Sequence, residues 1–125
     1  MNITASAISL NVPDPQASAK FLIDHLGFEE TMSADGFVSL DRADAGLTVI
    51  YLRTGLTTFK PKSAAGSAGD GILVVFVVDD IDAEYTRLRD AGVPIVTPIE
   101  TEEWGERYFQ MSDPNGIIIQ LVQWV

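Results

Sequence analysis

The sequence predicts an α+β fold in which two βαβββ modules pair into a curved, cup-forming mixed sheet with helices outside. Two observations carry this. Apolar runs of period two alternate with stretches of helical spacing, and the order of elements in the first half starts again at residue 72. With Val12 set against Val78, Asp14 falls on Asp80 and Gly27 falls within one residue of Gly92, while Gly46, just before the last strand of its half, corresponds to Gly116 once four residues are inserted. Two copies are too few for a solenoid. Each half instead presents an apolar sheet face to its own helix.

The elements follow in order. Ile8, Leu10 and Val12 alternate with Ser9 and Asn11, as in a strand with one buried face. Pro13-Asp14-Pro15 ends it, and Asp14 or its successors cap a helix carrying Ala17, Phe21, Leu22 and Leu26 on one side until Gly27 stops it. Phe37–Leu40 and Leu47–Leu52 are strands joined by a polar turn. Residues 56–71, rich in Gly, Ser and Ala, read as a flexible linker, which divides the single domain 1–125 into modules 1–55 and 72–125. Ile72–Val78 is an apolar strand, Asp79-Asp80 a cap, and Ile81, Tyr85 and Leu88 one face of a second helix. Short strands are expected at 94–96, 107–111 and 117–122, the last two joined by the turn Asp113-Pro114-Asn115-Gly116.

Composition narrows the function. Eight basic against eighteen acidic residues give a net charge of −10, which repels phosphate backbones, so no nucleic-acid partner is expected. With no Cys, thiol catalysis, thiolate metal sites and disulfides are excluded. No apolar run approaches the roughly 18 residues of a membrane span. Residues 1–5 show no leader pattern, so a cytoplasmic location without membrane contact is expected.

Several segments then resemble the vicinal oxygen chelate superfamily, which takes in glyoxalase I, extradiol dioxygenases and the bleomycin-resistance proteins. They are Asn11-Val12-Pro13-Asp14 leading to Leu26-Gly27-Phe28, Phe76–Ala83 leading to Ala91-Gly92-Val93, and Trp104–Phe109 with Asp113-Pro114-Asn115-Gly116. The resemblance covers essentially the whole chain and is nearest to the metal-free bleomycin-resistance-like binding proteins. It implies a cup, commonly in a homodimer, which in the enzymes holds a divalent metal on a His from each first strand and a carboxylate from each last strand. Here those four positions read Ala7, Ile50, Leu73 and Gln120. Three have no donor atom, and one amide oxygen does not hold a catalytic divalent ion in water. No metal and no cofactor is therefore expected, and no catalytic residue is assigned. His25, the single His, sits near a helix end, where a structural role is expected.

Trp104, between acidic residues and Gly105, has no alternating partner that would place it in a core strand. The resemblance implies that Trp104, and also Phe37, stack on a ligand; packing at a subunit interface is the alternative for Trp104. Strand parity sends Ala5, Ala7, Ser9, Ile50, Leu52, Leu73, Val75, Ile118, Gln120 and Val122 to the cup. Arg107 is conspicuous beside Glu106, with its parity open. The expected ligand-binding set is thus Trp104, Phe37, Ser9, Ile50, Leu73, Arg107 and Gln120. Glu100, Glu102 and Glu103 read as a solvated acidic loop or as the rim of a pocket for a cation.

The leading expectation is non-catalytic binding and sequestration of a small hydrophobic or cationic compound, as in antibiotic resistance. The alternative is a metal-dependent lyase or dioxygenase with non-standard ligands such as Glu100, Glu102 and Asp44. A metal-independent enzyme or a small regulatory partner is the third. Fold does not discriminate among them.

Overall fold

The computed structural model describes residues Met1–Val125. They fall into two compact units, Met1–Asp70 and Gly71–Val125. The first contains β1 (Ala7–Val12), α1 (Pro15–Leu26), β2 (Glu29–Ala34), β3 (Phe37–Asp41) and β4 (Thr48–Arg53). The second contains β5 (Leu73–Val77), α2 (Ile81–Asp90), β6 (Ile95–Thr101), β7 (Glu106–Ser112) and β8 (Ile118–Trp124). Each unit is a βαβββ module with one four-stranded mixed sheet, ordered β1-β4-β3-β2 in the first and β5-β8-β7-β6 in the second. The first strand of each pairs in parallel with the last, and the remaining pairs are antiparallel.

The core follows the alternation of the strands. Leu10, Val12, Val38, Leu40, Val49 and Tyr51 are buried on one face of the first sheet, with Phe21, Leu22 and Leu26 of α1. Val74, Phe109, Met111, Ile119 and Leu121 do the same in the second, with Ile81 and Leu88 of α2. Both helices begin the same way. The Asp14 carboxylate accepts the Ala17 N–H at 3.3 Å and the Asp80 carboxylate accepts that of Ala83 at 3.1 Å, satisfying N–H groups with no intrahelical partner. Gly27 closes α1 at φ 70°, where a side chain would be strained. In the second unit Gln123 of β8 grips the start of α2, accepting the Ile81 N–H at 3.1 Å and donating to the Asp79 carbonyl at 2.7 Å. His25, in the last turn of α1, packs edge-on against Phe21 with ring centroids 5.0 Å apart.

Three elements differ from the sequence reading. β2 was not expected as a strand, because Glu29–Ala34 is exposed throughout and has no apolar alternation. It is the edge of its sheet, where backbone pairing to β3 suffices and polar side chains guard the free edge. β6 runs to Thr101, well past the expected Val96, because a register shift between Thr97 and Glu100 accommodates Pro98. Glu100 therefore lies on a strand rather than in a loop. The 56–71 segment is partly folded: a 3-10 turn spans Lys62–Ala64, and the buried Asn11 side chain donates to the carbonyls of Ala64 at 2.8 Å and Gly66 at 2.9 Å. No helix is long and apolar enough to cross a membrane.

Candidate functional site

Each sheet has a second face, away from its helix, and the strand register places Ser9, Phe37, Ile50, Leu73 and Gln120 of the expected residues on it. In the first unit Ser9 pairs with Ile50, and Ile50 with Ser39; one row along, Asn11 pairs with Leu52, and Leu52 with Phe37. Ser9, Ile50 and Phe37 thus share one face. In the second unit Leu73 pairs with Ile118, and Val75 with Gln120. Leu73, Val75 and Val77 are 48%, 45% and 65% exposed, whereas Gln120 beside them is 6% exposed.

Arg107 does not join this face, which corrects the expectation for it. Its parity is that of Phe109, so it points toward α2, where Nη2 and Nε donate to the two carboxylate oxygens of Asp82 at 2.6 and 3.2 Å. Nη1 donates to the Thr101 hydroxyl at 2.8 Å. The hydrogen bond from Arg107 holds the Asp82 carboxyl below the usual carboxylate range. Arg107 is spent on this fork, and Asp44 is similarly paired with Arg42 at 2.6 Å.

Trp104 lies in the turn of the β6–β7 hairpin and is 66% exposed. Its neighbour Gly105, at φ 87°, receives the Val125 N–H on its carbonyl at 2.8 Å, and a Cβ on it would stand 2.6 Å from the Val125 carbonyl oxygen. The Trp-Gly pair is therefore also a backbone device that holds Trp104 in place.

The Trp104 indole N–H donates to Glu106 Oε2 at 2.9 Å. Glu106 Oε1 accepts from Gln120 Nε2 at 3.1 Å, a bond that spans the intervening Tyr108–Val122 row. Gln120 Oε1 accepts from Gln110 Nε2 at 2.8 Å, and Gln110 Oε1 from the Thr97 hydroxyl at 2.6 Å. One continuous row of hydrogen bonds thus joins Trp104 to Gln120 and reaches across β8, β7 and β6. Glu106 and Gln110 were missed in the sequence reading, although the short turn at Asp113–Gly116 fixes the register that sets Gln110 opposite Gln120. Tyr108 was missed as well. Its hydroxyl lies 2.7 Å from Glu100 Oε1 and 2.8 Å from Glu102 Oε1, and these two carboxylates push its ionisation well above the usual tyrosine range.

These contacts test the superfamily's metal positions. Ala7, Ile50 and Leu73 offer no donor, and the amide of Gln120 is committed to Gln110 through its oxygen and to Glu106 through its nitrogen. The donor set does not fit a divalent ion with open positions for substrate.

Residues 4–121 match the family model of the Glyoxalase/Bleomycin resistance protein/Dioxygenase superfamily. The chain belongs to this superfamily. An uncharacterized protein of Mycobacterium bovis is 33% identical over 57 residues, 46% of this chain and 38% of that relative, so the matched part spans under two-fifths of the relative's length. A glyoxalase/bleomycin resistance protein/dioxygenase from Nocardioides superposes with a TM-score of 0.80 at 24% identity, covering 100% of this chain and 85% of that one. A lactoylglutathione lyase from Agrobacterium tumefaciens gives 0.78 at 18% identity, covering 98% and 94%. At such identities the likeness is one of fold.

Proposed function

We propose that this protein binds and sequesters a small hydrophobic or cationic organic compound, without converting it, in the manner of an antibiotic-resistance binding protein of the cytoplasm. One observation carries the reading. At the superfamily's metal positions the side chains are apolar or locked in hydrogen bonds, while the same face of the second sheet offers the exposed Leu73 and Val75, with Glu106 and Trp104 at its far end. Apolar surface with a few fixed polar points suits a ligand held by shape and stacking. Ser9, Ile50 and Phe37 supply the corresponding surface of the first unit. The working form in this reading is a homodimer in which a second copy covers part of Trp104 and of the exposed side of β5; sedimentation equilibrium over a concentration series checks this.

Thermal unfolding tests the reading. A cationic aromatic antibiotic of the bleomycin kind, at about 100 times its dissociation constant, adds roughly 2.7 kcal/mol to the folded state. The expected result is a rise in Tm with such a compound and none with divalent metals or a chelator. A chelator-sensitive Tm would instead favour a metal-dependent lyase or dioxygenase, and would direct attention to Glu100, Glu102 and Tyr108, whose oxygens already meet.

A further inference from the structure

The hydrogen-bonded row across the second sheet has a direction, and the direction is set at one end. An ionised carboxylate only accepts hydrogen bonds, so Gln120 turns its Nε2 toward Glu106. Its Oε1 is left to accept from Gln110, whose own oxygen then accepts from Thr97. The charge of Glu106 thus orders amide groups on two strands, and they in turn hold the carboxylate in place.

Six carboxylates of the chain are ion-paired, and Glu106, like Glu100 and Glu102 near it, is not among them. Asp24, Asp35, Asp44, Asp82, Glu84 and Asp90 each face a Lys or Arg. Glu106 has only neutral donors: Oε2 takes the Trp104 indole N–H and Oε1 takes the Gln120 amide N–H. Each oxygen keeps a second acceptor position. A fixed negative charge without a counter-cation therefore stands directly beside an exposed aromatic ring.

We propose that Glu106 is the charge anchor of the ligand site and that it selects compounds carrying a protonated amine or guanidinium with a free N–H next to a flat apolar ring. This rests on the binding reading above. The unfilled acceptor positions of Glu106 call for N–H donors, and the charge-assisted bond so formed is among the stronger ones available at a protein surface. The indole face of Trp104 receives the ring. A quaternary ammonium is drawn to an aromatic face equally well but has no N–H to give. Discrimination between the two kinds of cation therefore reports on Glu106 and not on Trp104.

The test uses three probes on the whole protein at neutral pH: 2-naphthylmethylammonium, its N,N,N-trimethyl counterpart, and neutral 2-naphthalenemethanol. Calorimetric titration should show the primary ammonium binding about tenfold more tightly than the trimethyl form, as expected for one hydrogen bond to a charged group. In E106Q, with its fold checked by circular dichroism, that preference should collapse to within about twofold; the ratio of the two cations is the readout, because the variant also loses an acceptor for the Trp104 indole N–H and shifts the affinity of every probe. A preference that survives in folded E106Q overturns the inference and leaves the binding reading standing. Equal affinity of the two cations for the wild type overturns it also, whether or not the variant folds. Failure of all three probes to bind the wild type overturns the binding reading, and the inference falls with it.

Discussion

The two units share a fold and differ in what they do with its second face. On the helix side they correspond closely: an Asp cap, a helix with buried Leu, and alternating apolar strands. On the other side the first unit buries Asn11 and Ser39 and ties Asn11 to the carbonyls of its own Ala64 and Gly66. The second unit carries side-chain hydrogen bonds from Thr97 to Trp104 and a tyrosine set between two glutamates. A duplicated module keeps the pattern that buries its helix, because that face makes it fold. The face away from the helix is left to diverge, and chemistry accumulates there.

If the helix sides are equivalent, breaking them should cost the same. Leu22 and Leu88 are both fully buried, and truncation of either to Ala should lower stability by about 2–5 kcal/mol in urea unfolding followed by circular dichroism. A cost below about 1 kcal/mol for one of them would show that its helix is not held as the burial implies. Glycines sharpen the contrast at a smaller scale. Gly46 and Gly105 both have positive φ, but only Gly105 faces a backbone oxygen, that of Val125, at the distance a Cβ would occupy. Gly46→Ala should cost roughly 1 kcal/mol of left-handed strain. Gly105→Ala should cost more by the same measurement, and it should alter Trp104 fluorescence, since the hairpin must shift to admit the methyl group.

The helix side was also the legible side. The alternation in Ile8–Val12, the apolar run Ile72–Val78, the aspartate caps and the Gly stops are local signals, and they led to the α+β duplication directly. β2 carried no such signal, because an exposed edge strand needs only backbone pairing. The facing of the candidate residues was legible in part. Parity placed Ser9, Ile50, Leu73 and Gln120 on the faces away from the helices, where the register has them. The same rule, applied across the Asp113–Gly116 turn, would have placed Arg107 with Phe109 on the helix side and Gln110 opposite Gln120. What no local rule reveals is the reach of Glu106 over the Tyr108–Val122 row, since a bond between residues fourteen apart depends on side-chain length and sheet twist together.

The smallest effects separate the two faces of the second unit by pH. Asp82, on the helix side, has its pKa lowered by Arg107, so the stability it contributes is complete above the ordinary aspartate value and is lost as pH falls through its depressed one. Tyr108, on the other face, has its pKa raised by Glu100 first and Glu102 second. Its contribution is complete below the ordinary tyrosine value near 10 and is lost only as pH rises through the higher one. D82N should therefore flatten the acid limb of the stability profile alone, and Y108F the alkaline limb alone. Both side chains are at least partly exposed, so solvent screening keeps each effect small. Absorbance at 295 nm gives the more sensitive reading for Tyr108: in an alkaline titration the Glu100→Gln/Glu102→Gln double variant should ionise one tyrosine earlier than the wild type. If the two curves superpose, the carboxylates do not govern that phenol, and the second face is less tightly organised than its distances imply.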